Sequence, residues 1–217
     1  MVGSGAVLSV WLIEEINMER GYWIKSKPVY TSLKWHEKAT SHLVLATGIG
    51  GMAVLKLFQQ MHPTQPVKVL YGKYGQMEAD YSDTLKMVVP EGLHIHKFDD
   101  ALLTQFQLEL RDAQMGLRIY VAGSEGFIWD VVAAAKPFGI QEMEIMKEQA
   151  DTLARSVYCV HCKTISKYVT TNITACCGCE RMLFVRDHFS RNLGAYMGLM
   201  VDAESPGELP AIEEIYP

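Results

Sequence analysis

No cysteine lies outside residues 159–179, no apolar run reaches the length of a membrane-spanning helix, and the 20 Lys and Arg fall short of the 25 Asp and Glu. Each absence closes a class. A secreted fold stapled by disulfides spreads its cysteines over its loops, so five within one short window point to a metal instead. A spanning helix needs about 18 or more consecutive apolar residues, and no membrane partner is expected. The formal net charge of −5 provides no global field toward nucleic acid or anionic lipid, and only a local patch would serve such a partner. Residues 6–13 are apolar but have no basic flank and no small-residue cleavage site, and Glu14 and Glu15 follow at once. They read as a strand or buried segment rather than a signal peptide, and a soluble, cytoplasmic protein is the expectation. No Ser-His-Asp order, HExxH motif or paired-carboxylate pattern advertises a hydrolase.

The 217 residues are 49% hydrophobic, enough for one ordinary core and a small satellite domain. Leu43-Val-Leu-Ala46 has the pattern of a buried strand, and a glycine turn at 47–51 and a helical run at 52–61 follow it. The theme recurs at 67–71 before a helix near 79–88, at 93–96 before a helix near 101–113, and at 117–121 before a helix near 127–138. A fifth strand is expected at 142–146. Short β-rich runs alternating with helices predict right-handed βαβ units. The expected fold class is α/β, with an open, mainly parallel sheet of strand order 3-2-1-4-5 over residues 40–150. Residues 1–39, with the strand-like Tyr22-Trp-Ile24, are too few for their own core and are expected to add edge strands or a cap.

Cys159-Val-His-Cys162 and Cys176-Cys-Gly-Cys179 each set two thiols three residues apart, the spacing at which a tight turn aims both sulfurs at one tetrahedral ion. Thirteen residues separate the pairs, enough for a hairpin that returns the second turn to the first. A structural zinc held by Cys159, Cys162, Cys176 and Cys179 is the leading reading, in a zinc-ribbon-like domain at 155–185. An iron–sulfur or other metal site and a redox dithiol stay open as alternatives. Gly178 suits a turn needing positive φ or close backbone approach. Cys177 is expected to face away from the metal, and His161 to be a solvent-facing turn residue.

In an open α/β sheet the ligand crevice lies beyond the carboxyl ends of the strands where strand order reverses. For order 3-2-1-4-5 the bounding loops are 47–51 and 122–126. Thr47, Gly48, Gly50, Gly51, Gly123, Ser124 and Gly126 are therefore the candidate nucleotide-binding residues, since such loops let backbone N–H groups approach a phosphate. Turn glycines that permit close helix packing are the plainer alternative. Glu125 would repel a phosphate if it pointed into the crevice. Trp129 is expected in packing or at an interface, and Met52, Val54, Leu55 and Phe58 at helical spacing in the core.

The α/β part resembles the nicotinamide-nucleotide-binding domain of the ferredoxin reductase family. The family's first glycine loop corresponds to Ala46-Thr-Gly-Ile-Gly-Gly-Met52, and its second to Ala122-Gly-Ser-Glu-Gly-Phe127. Ala122 stands where that family has a cysteine facing the nicotinamide, and the flavin-domain signature Arg-x-Tyr-Ser is missing. The whole chain resembles the small A-type subunit family of bacterial dimethylamine monooxygenase, carried by the cysteine pairs, the Arg186-Asp-His-Phe-Ser-Arg191 run and the ending Asp202-Ala-Glu-Ser-Pro-Gly207. That resemblance implies a heteromeric assembly oxidising dimethylamine with O₂ and NADPH to methylamine and formaldehyde. It also implies a haem-containing catalytic subunit and a flavin and iron–sulfur reductase subunit as partners, with this chain as a companion.

Residues 186–217 are expected to be an extended partner-binding arm. Residues 202–217 hold five acidic residues, three prolines and no Lys or Arg. Phe189, Arg191 and Tyr196 are its candidate interface residues, being types favoured at interface centres; the alternative is that the segment folds back on its own α/β domain. Two rival functions remain. A zinc-ribbon nucleic-acid binder is suggested by six Lys or Arg against two acidic residues in 155–191. A stand-alone NAD(P)-dependent oxidoreductase is suggested by the glycine loops.

Overall fold

The computed structural model describes residues 26–60, 62–73, 80–89 and 91–217; the strand-like runs expected at 6–13 and 22–24 lie outside the described residues. Strands β1 (Ser41–Thr47), β2 (Val67–Gly72), β3 (Leu93–His96), β4 (Leu117–Gly123) and β5 (Ile145–Gln149) pair in the order β3-β2-β1-β4-β5, every neighbour parallel. Helices α1 (Gly50–Gln60), α2 (Ser82–Val88), α3 (Asp99–Arg111) and α4 (Glu125–Ala135) connect them.

Side chains on a strand alternate between faces. Leu43 and Leu45 accordingly pack with Leu102 and Phe106 of α3 and Ile128 and Val132 of α4. Val44 and Ala46 pack on the other face with Val54, Leu57 and Phe58 of α1 and Leu85 of α2. A sheet covered on both sides needs strands apolar throughout, which is why β1 reads as a continuous hydrophobic run. The fifth strand starts later than its pattern suggests. Residues Glu142–Glu144 form a 3₁₀ turn whose Gln141 N–H donates to the Glu144 carboxylate at 2.9 Å, so this capping box takes the first residues of the expected strand.

The second sheet contains β6 (Arg155–Cys159), β7 (Ile165–Val169), β8 (Ile173–Ala175), β9 (Met182–Ser190) and β10 (Ala195–Met200) in the order β7-β6-β10-β9-β8. Residues 186–200, expected in an extended arm, are instead the second half of β9 and all of β10. They form a hairpin in which the N–H groups of Leu193 and Gly194 donate to the Ser190 carbonyl and Gly194 takes φ +62°. Beyond β10 the chain has an isolated bridge from Glu214 to Thr171. It is pinned where Tyr216 N–H donates to Thr170 O at 2.8 Å and Leu153 N–H to Pro217 O at 2.6 Å.

One core cluster runs through both sheets, joining Phe127, Trp129 and Val131 of α4 to Val157, Leu183, Val185, Phe189 and Tyr196. Ahead of β1, Leu33 is buried, Trp35 donates its indole N–H to the Leu57 carbonyl, and Thr31 N–H donates to the Lys147 carbonyl of β5. Among the described residues no helix is long and apolar enough to cross a membrane.

Candidate functional site

The two cysteine pairs sit in matching turns. Lys163 N–H donates to Cys159 O, and Glu180 N–H to Cys176 O, both at 2.9 Å. Cys159 N–H donates to Thr164 O and Cys176 N–H to Arg181 O, again at 2.9 Å. Each turn closes on a residue in the left-handed region, Lys163 at φ 65° and Glu180 at φ 60°. Repeating one turn geometry on two hairpins brings the four sulfurs within 4.8 Å of one another. Cys159 and Cys179 are 3.7 Å apart and Cys162 and Cys176 3.4 Å. A tetrahedral zinc thiolate site, with Zn–S near 2.3 Å, has S···S edges of about 3.8 Å, so this set fits such an ion with little adjustment.

Local hydrogen bonds favour the thiolate at two of the four cysteines. The hydroxyl and N–H of Thr164 pull the Cys162 thiol down to about 6, and the Arg181 N–H and guanidinium lower that of Cys179. Burial pushes Cys176 up to about 11. Gly178 is there for space: a Cβ would lie 2.6 Å from Thr164 Oγ1 and 3.2 Å from Cys162 Sγ. Cys177 is exposed and its N–H donates to Ser166 Oγ, while exposed His161 stands outside the group. Four thiolates fill a tetrahedral ion's coordination and leave no open position for substrate.

The glycine loops stand side by side because β1 pairs with β4. A Cβ on Gly50 would collide with the Ala122 carbonyl, and one on Gly123 would lie 2.6 Å from Thr47 Oγ1. Gly51 is held against Tyr81 in the same way. Gly48, at φ 50°, offers its carbonyl to the Tyr71 hydroxyl at 2.9 Å. Ser124 caps α4 by accepting from Phe127 N–H. Gly126 faces Ser156 of β6, whose Oγ would be 3.5 Å from an added Cβ, so the second sheet covers the second loop. A cavity of about 110 Å³ there is lined by Ser124, Gly126 and Ser156 together with Asp99, Asp100 and Asp130. Arg155 and Lys167 line it too, and Lys167 pairs with Asp130 at 2.8 Å, so the space is small and its charges are of both signs.

Glu125 points away from the loops into the seam between the sheets. It is 4% exposed, and its Oε1 accepts from Tyr30 at 2.6 Å and Tyr196 at 3.2 Å. The Trp129 indole N–H donates to Tyr30 Oη at 2.9 Å. Burial raises the Glu125 carboxyl, and burial with the nearby carboxylate raises both phenols. The Arg155 guanidinium lies 4.0 Å from the Tyr196 ring centroid and 3.7 Å from that of Tyr216, and bonds Asp187 at 2.8 Å. Against the effect of burial, hydrogen bonds from Lys27 and Arg155 hold the Asp187 carboxyl low.

This seam corrects the expected interface. Phe189 and Tyr196 are each 4% exposed, with Phe189 4.9 Å from Trp129 and 4.8 Å from Tyr196 between ring centroids. Their strand-paired positions turn both rings inward against α4, so neither is available to a partner. Arg191 alone of the three stays exposed, paired with Glu142. The seam was not visible in the sequence, because its members come from positions 30, 125, 129, 155, 187, 196 and 216.

Residues 22–145 match the family model described as dimethylamine monooxygenase subunit DmmA-like, N-terminal domain, and residues 156–199 match the corresponding C-terminal domain. The heme-dependent oxidative N-demethylase delta subunit of Ectopseudomonas mendocina (strain ymp) is 40% identical over 97 residues, which make up 45% of this chain and 55% of that protein. The chain thus spans about half the length of this curated relative. Among solved structures, phthalate dioxygenase reductase is 13% identical, covering 66% of this chain and 47% of its own with a TM-score of 0.41. An intact type IV self-sufficient cytochrome P450 monooxygenase is 15% identical, covering 59% and 18% with a TM-score of 0.43.

Proposed function

Since the chain belongs to the DmmA-like family of dimethylamine monooxygenase subunits, we propose that it is a companion subunit of an amine-oxidising monooxygenase. The assembly would oxidise dimethylamine with O₂ and NADPH to methylamine, formaldehyde and water. A haem-containing catalytic subunit and a flavin and iron–sulfur reductase subunit would be its partners. In this chain, residues 40–150 would be a degenerate nucleotide-binding unit and residues 155–185 a unit held by zinc on Cys159, Cys162, Cys176 and Cys179. Bound zinc would supply a closed, redox-inert tetrahedral centre.

The observation that carries the companion role is the packing at the glycine loops. Gly50 abuts the Ala122 carbonyl and Gly126 faces Ser156, leaving beside the second loop a space of only about 110 Å³. These contacts support a scaffold that has given its nucleotide loops over to internal packing. Arg186, His188, Arg191 and the glutamates of 202–217 are among the exposed residues of the expected arm.

Co-expression with the neighbouring oxygenase subunits tests the reading. The chain should co-purify with the haem and reductase subunits, and dimethylamine-dependent NADPH consumption should require it. The purified chain with added flavin should not oxidise NADPH. A chain that never joins those subunits, or one that oxidises NADPH alone, would overturn the proposal.

A further inference from the structure

A carboxylate sealed among aromatic rings calls for an explanation. Glu125 is buried with two phenols as its direct partners, and the charges of Arg155 and Lys27 act on it only from beyond ion-pair distance. Burying an ionisable group without a cation in direct contact is costly. A glutamine oxygen would accept the same two phenol hydrogen bonds with a smaller desolvation penalty. What glutamate adds is the capacity to take up a proton.

The groups that surround it are the oxidisable ones. Tyr30 and Tyr196 donate to the same Oε1, Tyr30 through the shorter bond at 2.6 Å, and Trp129 holds Tyr30 Oη through its indole N–H. A phenol gives up an electron far more readily when its proton passes to a hydrogen-bonded base in the same event. The cluster also reaches outward. Tyr30 is half-buried, and Tyr216, 9% exposed, shares the Arg155 guanidinium with Tyr196, at 3.7 and 4.0 Å from the two ring centroids.

We propose that Trp129, Tyr30, Tyr196 and Glu125 form a relay for one-electron oxidising equivalents, with Tyr216 as its outlet. Tyr30 loses one electron to the oxidant and its phenolic proton to the Glu125 carboxylate. The products are a neutral tyrosyl radical, a carboxylic acid and the oxidant reduced by one electron. Trp129 and Tyr196 exchange the electron vacancy with Tyr30, and Tyr216 passes it to a soluble thiolate, which gives up one electron and becomes a thiyl radical while Glu125 returns the proton that restores the phenol. The oxidant is an equivalent escaping dioxygen chemistry at a haem, a source that rests on the proposed companion role. The relay chemistry itself belongs to this chain and can be tested without partners.

The test uses the purified full chain, oxidised by flash-generated tris(bipyridyl)ruthenium(III). Freeze-quenched samples should show a neutral tyrosyl radical by electron paramagnetic resonance. Time-resolved infrared spectra should show a carboxylic-acid carbonyl band rising together with the radical. Tyr30→Phe should lose most of the radical, and Glu125→Gln should lose the infrared band and form the radical more slowly. A radical of wild-type yield in both variants, trapped on exposed Tyr168, would overturn the relay. The infrared arm needs no variant: a radical in the wild-type chain without a carboxylic-acid band overturns it even if the substitutions prevent folding. Failure to co-purify with the monooxygenase subunits would sink the companion role and leave this result standing.

Discussion

Gly50 and the carbonyl of Ala122 meet across the carboxyl ends of β1 and β4, so closely that a methyl group on Gly50 would collide with that oxygen. Neither backbone can withdraw without disturbing a central strand pair. Gly50→Ala should therefore cost about 1–3 kcal/mol, the usual penalty of overpacking, read as a lower urea midpoint at an unchanged slope. Gly126→Ala is the control, because its added Cβ would meet only Ser156 Oγ at ordinary contact distance. It should be neutral or stabilising by up to ~1 kcal/mol. Equal losses in the two variants would contradict the assigned contacts.

Metal analysis should find about one zinc per chain. Cys162→Ser and Cys179→Ser should lose the ion, while Cys177→Ser should retain it, since Cys177 stands outside the sulfur cluster. Because the two sheets share one core, chelation should lower the melting temperature of the whole chain. Melting of the second sheet alone would count against that shared core.

Truncating the seam should act on stability first. Phe189→Ala and Tyr196→Ala should each cost about 3–5 kcal/mol, as large aromatic deletions from a core do. Arg191→Ala removes an exposed ion pair and should stay within about 0.5 kcal/mol of the parent. Chemical unfolding of the isolated chain distinguishes these outcomes from a loss of partner binding alone.

Two carboxyls in the seam should give opposite pH signatures. Glu125 is raised, so its folded state binds a proton more tightly than the unfolded chain. Its contribution to stability is complete below the unfolded value near 4.3 and is lost as pH rises through the folded value. The stability of Glu125→Gln relative to the parent should therefore increase from about pH 4 toward neutrality. Asp187 is lowered, so its contribution is present above the unfolded value and lost as pH falls through the folded one. Asp187→Asn should cost stability near pH 7 and progressively less as pH falls below the unfolded carboxyl range. Urea midpoints across that range decide both signs.

What the sequence made legible is what local pattern determines. The apolar run of β1 and the helices after it follow from periodicity, and the cysteine spacings place both turns. The seam escaped because its bonds span 95 residues between Tyr30 and Glu125 and 71 between Glu125 and Tyr196. Phe189 and Tyr196 have the composition of an interface, and only their pairing across the β9–β10 hairpin shows that both rings face α4. The fifth strand was displaced for a local reason, the capping box at Gln141 and Glu144.

The last strand of the second sheet is also its middle one, since β10 lies between β6 and β9. During synthesis β6, β7 and β8 therefore emerge before the strand that unites the two flanks, and their cysteines wait in an unfinished sheet. The first sheet has all five of its strands by Gln149 and can close beforehand, presenting α4 as a surface on which the later strands assemble. Zinc captured by the two finished turns would hold the open flanks together until β10 arrives. A pause or truncation between residues 180 and 195 should then yield a chain with a folded first sheet and an aggregation-prone remainder.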